Sequence, residues 1–159
     1  MVPALALIAP LLRAAPPDSL QNWFDDPFFQ ITNAVADCPV PAGPFVDERD
    51  KRAQAHRRAE KGTTCWLAKE CERPNAYAYD RDIAAAIRGA LHDGRLFPHS
   101  TLWVTVQGRV VYIEGCAADA STAADAESFA RSVPHVQQAI AIVRTDPAAR
   151  PPYRLRAAD

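Results

Sequence analysis

Leu102-Trp103-Val104-Thr105-Val106-Gln107-Gly108-Arg109-Val110-Val111-Tyr112-Ile113-Glu114-Gly115 is the stretch that decides the fold. Residues 102–106 are rich in β-branched and aromatic side chains and read as a strand. Gln107-Gly108 makes a tight turn, and residues 110–117 read as the return strand of a hairpin. Upstream, Asp80 is a good helix N-cap. Ile83, Ala86, Ile87, Ala90 and Leu91 then recur at helical spacing until Gly94 signals a stop. Downstream, Thr122 with Asp125 opens a second helix whose apolar stripe is Ala126, Phe129, Ala130 and Val133, and Pro134 ends it. Residues 136–144, VQQAIAIVR, supply a third strand. The order αββαβ, within about seventy residues, predicts a small α+β sandwich with both helices on one face of a three-stranded sheet.

Strand side chains alternate between faces. Leu102, Val104, Val106, Val111, Ile113, Gly115 and Ala117 should meet the helices. Trp103, Thr105, Val110, Tyr112, Glu114 and Cys116, with Ile140 and Ile142 from the last strand, then share the second face. A solvated sheet face is mostly polar. An apolar one marks a contact surface, and the first candidate to cover it is the chain's own N-terminal half.

That half differs in character. Residues 16–76 are predicted to be a mostly irregular and helical extension. Its one regular piece opens at Asp47 as N-cap, with acids in its first turn, and runs to about Lys61, where Gly62 can close it. The basic residues Lys51, Arg52, Arg57 and Arg58, flanked by Asp50 and Glu60, read as a solvated face in preference to an anion site. Leu, Ile, Val and Phe make up about a fifth of the 159 residues, too few for one large core through the whole chain. Net charge is −1, which gives no support to a nucleic-acid partner.

The cysteines are Cys38, Cys65, Cys71 and Cys116, an even set that fits two disulfides in an oxidising compartment. In an unbroken helix Cys65 and Cys71 would stand about 9 Å apart along the axis, beyond the ~7 Å reach of a bridge. Either that segment bends into a small loop or both pair elsewhere. Three connectivities exist. The preferred one joins Cys65 to Cys71 and Cys38 to Cys116, the latter stapling the extension to the sheet. Residues 2–12, VPALALIAPLL, are eleven residues without charge. That is too short for a spanning helix of about 20 residues and right for the apolar core of a signal peptide, here residues 1–15.

The hairpin and its flanking helices resemble the BON domain, a small module of bacterial envelope proteins. Asp82-Ile83 with Ile87 and Leu91 are similar to its first helix. Val104-Thr105-Val106-x-Gly108 and Val110-Val111-Tyr112-Ile113-Glu114-Gly115 resemble its hairpin and the glycine that ends the second strand. Residues 124–133 with Val136 and Ile140 resemble its last helix and strand. The family usually has Gly just before the valine of the last strand, where this chain has His135 after Pro134. The resemblance covers residues 77–145, with a Pro- and Arg-rich tail at 146–159. It implies a periplasmic or membrane-associated protein without catalytic residues, binding phospholipid surfaces or other envelope components. An adaptor or subunit of an envelope or secretion assembly is the alternative. The candidate binding surface is Trp103, Tyr112 and Ile140 together with Arg150, Arg154 and Arg156. No redox C-x-x-C, haem motif, phosphate loop, G-x-S-x-G or H-E-x-x-H is present, and His56, His92, His99 and His135 are scattered. No enzyme activity, metal or cofactor is expected.

Overall fold

The computed structural model describes residues 20–92 and 94–156. The expected signal peptide lies outside these residues. Seven main elements follow one another: β1 (Phe28–Asn33), α1 (Glu48–Leu67), α2 (Asp80–Ala90), β2 (Ser100–Gln107), β3 (Val110–Ala117), α3 (Thr122–Ser132) and β4 (Gln138–Arg144), with a single 3₁₀ turn at Ala76–Tyr79 before α2. The class is α+β, with the αββαβ order running from α2 to β4.

The sheet has four strands rather than three, in the order β1-β2-β3-β4. The extra strand comes from the extension: Phe28-Phe29-Gln30-Ile31-Thr32-Asn33 pairs antiparallel with β2 through a register shift between Gln30 and Thr32. β2 and β3 form the antiparallel hairpin, and β4 runs parallel to β3. The hairpin turn is centred on Gly108 and Arg109, both left-handed at φ 60° and 69°, the paired geometry that matches strand twist.

The main core lies between the sheet and the α2/α3 layer. Ile83, Ala84 and Ile87 of α2 and Ala126 and Ala130 of α3 pack on Leu102, Val104, Val106, Val111 and Ile113, with Phe29 and Ile31 of β1 against the edge of this cluster. The buried stripe of α2 thus passes through Ala84, while Ala86 and Ala90 are exposed. The branched side chains at 83 and 87 set the rotation of this helix; alanine is too small to contest it. Gly115 explains itself by geometry. Its φ is +151°, and a Cβ there would stand 2.1 Å from the Thr101 carbonyl oxygen. Only glycine lets β3 pass β2 at that point.

Two helix boundaries differ from expectation. Asp80 does not cap α2: its carboxylate accepts the N–H groups of Gly108 and Arg109 at 2.6 and 2.8 Å, and so holds the hairpin turn instead. Gly62 does not end α1, which continues to Leu67. A Cβ at 62 would lie 3.0 Å from Asn75 Oδ1, so this glycine serves a close approach between the helix and the chain before α2. At the start of α1, Asp47 does act as the cap, accepting from the Asp50 N–H at 2.7 Å.

Candidate functional site

The second face of the sheet is covered by the extension, and the cover leaves a groove. The cover is built from three parts. First, residues 38–46 lie over the sheet, tied by the Cys38–Cys116 bridge, with Pro41, Ala42, Pro44 and Val46 buried. Pro39, Pro41 and Pro44 fix the backbone φ at three points and remove donors that the cover could not satisfy, while Gly43, left-handed at φ 53°, makes the turn between them. Second, the C-terminal segment returns to pair with it. Ala42 N–H donates to the Arg154 carbonyl at 2.8 Å, and Arg156 N–H to the Val40 carbonyl at 3.0 Å. The expected tail is therefore a strand-like clasp. Third, α1 docks by its polar side. The Lys51 ammonium sits 4.0 Å from the Trp23 ring centre, and the Arg58 guanidinium lies 4.3 Å from Phe24 and 3.7 Å from Tyr77.

Arg58 is the pivot of that docking. It meets the buried carboxylate of Asp26 at 2.9 Å, and Asp26 also accepts from Gln107 Nε2 at 2.7 Å. A charge removed from water in this way needs its partner and its hydrogen bonds. The basic residues of α1 thus divide: Lys51 and Arg58 turn inward onto aromatic rings, while Arg52 and Arg57 are exposed.

Beyond this contact, α1 and the sheet diverge around a cavity of about 620 Å³ lined by Arg57, Lys61, Gln54, Thr64, Tyr77 and Tyr112, among others. Arg57 and Lys61 are four apart on one helical face and have no ion-pair partner among the described residues. The carboxamide oxygen of Gln54 is buried without a hydrogen-bond partner. Burial raises the Tyr112 hydroxyl above its usual range, with the neighbouring Glu114 adding to the shift. Burial alone pushes the Glu114 carboxyl up to about 6.

The residues singled out in the sequence fall into distinct places. Cys38 bridges to Cys116 with Cα atoms 5.9 Å apart, and Cys65 bridges to Cys71 at 5.5 Å, where α1 has ended and the chain turns back. Tyr112 and Ile140 are neighbours in register on the second face and are half-buried. Trp103 belongs to that face but is only 7% exposed, which takes its ring out of reach of an external surface. Arg154 is engaged by Asp50 at 3.0 Å, and Arg156 lies over the Phe45 ring at 4.4 Å, so both serve the clasp. Arg150 is exposed. Sequence reasoning passed over Gln54 and Lys61 as site residues and set Arg57 aside as part of a solvated face. Their helical spacing was visible, but the surface they face is contributed by a strand more than forty residues away.

Among the described residues no group of His, Cys, Asp and Glu is arranged to hold a metal ion, and no helix is long and apolar enough to cross a membrane. No curated protein and no solved structure matches the chain. A family model does match, and it spans the hairpin, the two helices above it and the last strand, leaving out the extension and the clasp. Residues 79–143 are a BON domain.

Proposed function

We propose that this protein is exported and acts in a bacterial envelope as a non-catalytic binding module for phospholipid membrane surfaces. BON domains are associated with phospholipid binding and with envelope proteins. The observation that carries the reading is the pair of disulfides, Cys38–Cys116 tying the extension to the BON domain and Cys65–Cys71 within the extension, since disulfides persist in oxidising compartments. The cationic and aromatic groups around the groove, Arg57, Lys61 and Tyr112, suit an anionic interface better than the clasped Arg154 and Arg156 do. Flotation of the oxidised protein with anionic vesicles at low salt tests this reading. Co-flotation that falls as salt rises is the expected result; protein left at the bottom of the gradient at low salt overturns it.

A second reading, an adaptor or subunit of an envelope assembly, draws on the last turn of α1. Trp66 and Leu67 are consecutive and stand 47% and 75% exposed beside the Cys65–Cys71 loop. Adjacent large apolar groups held open to water favour a protein contact. Crosslinking in cells followed by recovery of a stoichiometric partner, lost on Leu67→Asp, would support it.

A further inference from the structure

The groove between α1 and β3 has more specificity than a charged surface needs. Its lining offers three kinds of group at once. Arg57 and Lys61 place two like charges at i and i+4, an arrangement that is unfavourable by itself and is relieved by an anion between them. Arg58 does not compete for that anion, because Asp26 holds it at 2.9 Å. Glu60, the acid of the lining, is turned to His56 at 3.3 Å. The Tyr112 hydroxyl makes no hydrogen bond to another described residue and is a donor toward the same space. Gln54 presents the opposite need: a buried acceptor oxygen without a donor. An orphan acceptor of this kind gains by meeting a hydroxyl. The rings of Tyr77 and Tyr112 supply flat apolar wall between these polar groups. The cavity, about 620 Å³, falls in the range of small-molecule sites.

We propose that this groove is a saturable site for a phosphate ester carrying hydroxyl groups, its phosphate held by Arg57, Lys61 and Tyr112 and a hydroxyl donated to Gln54 Oε1. The planar guanidinium and the ammonium together suit a tetrahedral oxyanion. The inference refines the phospholipid reading above, and only its lipid arm rests on that reading. A glycerophosphate headgroup at a membrane and a soluble polyol phosphate present the same chemistry to these side chains. Because α1 lies outside residues 79–143, the site belongs to the extension and the domain jointly.

The test is a titration of the full oxidised chain, followed by NMR at Tyr112 and at the Gln54 side-chain amide. Two soluble probes are compared: glycerol 3-phosphate, and dimethyl phosphate, which has no hydroxyl. Saturable one-to-one shifts at both residues are expected with glycerol 3-phosphate. The exposed double variant Arg57→Gln/Lys61→Gln should weaken both probes by about tenfold or more. Gln54→Leu should weaken glycerol 3-phosphate by about threefold to tenfold and leave dimethyl phosphate unchanged. Shifts that never saturate, or equal affinity in the double variant, overturn the proposal. Vesicles of phosphatidylglycerol separate the sources. Binding that glycerol 3-phosphate displaces supports the headgroup. A saturable soluble probe with no vesicle binding keeps the site and removes the phospholipid reading. Vesicle binding without a saturable soluble probe keeps that reading and ends this one.

Discussion

Asp80 shows how one side chain can answer two opposed demands. Its carboxylate receives two backbone N–H groups from the hairpin turn, which favours the charged form. Its burial disfavours that form more strongly, and the result is a carboxyl pushed from 3.8 up to about 6. The native state therefore holds this proton more tightly than the unfolded chain does. Between about pH 4 and 6 the folded form binds more protons, so the contribution is most favourable at the acid end and is lost as pH rises through about 6. A shift of this size corresponds to roughly 2–3 kcal/mol. Glu114, also raised to about 6 by burial, acts in the same direction. Urea unfolding at several pH values should show stability falling from pH 4.5 to 6.5. Asp80→Asn should flatten that slope without abolishing it. An unchanged slope in the variant would mean that the carboxylate is not desolvated as its position requires. His135 makes a related point about substitution. Its backbone is left-handed, at φ 69°, just where the domain's usual pattern has glycine. The ring packs on Tyr79 with centroids 4.9 Å apart, and its carbonyl accepts from Arg109 Nε at 2.8 Å. These contacts offset the conformational cost of a side chain there, which in αL is modest for histidine.

The elements divide by how their signals are written. The hairpin, α3 and β4 were legible because apolar side chains recur at the period of the structure they form. α2 was legible as a helix, but its exact face was not, since Ala84 and Ala86 look alike in sequence and differ only through the rotation that Ile83 and Ile87 impose. β1 was missed. Phe28-Phe29-Gln30-Ile31-Thr32 has strand chemistry, yet it is short, follows Pro27, and its partner strand lies some seventy residues on. α1 was recognised as a helix and misjudged as solvated, because its docking face carries cations instead of apolar groups: Lys51 and Arg58 lay their stems and charges over Trp23, Phe24 and Tyr77. The groove residues could not be assembled before that face was known. The docking itself makes a prediction. Arg58→Met keeps much of the stem but leaves Asp26 charged and buried without its cation, a change that costs about 3–5 kcal/mol in comparable pairs. Thermal unfolding should report a loss of that order, and the double variant Arg58→Met/Asp26→Asn should recover part of it. Equal losses in the single and double variants would show that Arg58 acts by packing and not through its charge.

At the scale of the whole molecule, the BON domain is one layer of a larger closure. One face of its sheet carries the main core; the other, with Trp103, Val110 and Cys116 buried, depends on parts of the chain outside residues 79–143. The cover is itself held from both ends of the sequence, by the bridge at Cys38 and by the clasp between residues 40–42 and 154–156. The clasp was not legible, since Pro-rich segments have no period and pair through backbone groups. The two bridges should then differ in weight. The Cys38–Cys116 bridge spans 78 residues and the Cys65–Cys71 bridge spans 6. In the chain-entropy account the longer loop is worth about 4.5 kcal/mol and the shorter about 2 kcal/mol. Cys38→Ala/Cys116→Ala should therefore lower stability by roughly twice as much as Cys65→Ala/Cys71→Ala. Against a total of about 5–15 kcal/mol, the first loss is large enough to open the second face before the core unfolds. Hydrogen exchange distinguishes that from uniform weakening. The amides of Ala42 and Arg156, which donate across the clasp, should lose protection first, while those of Val104, Val111 and Ile113 keep theirs. If clasp and core amides exchange together in the Cys38→Ala/Cys116→Ala protein, the extension and the sheet are a single cooperative unit, and the bridge is not what sets the boundary between them.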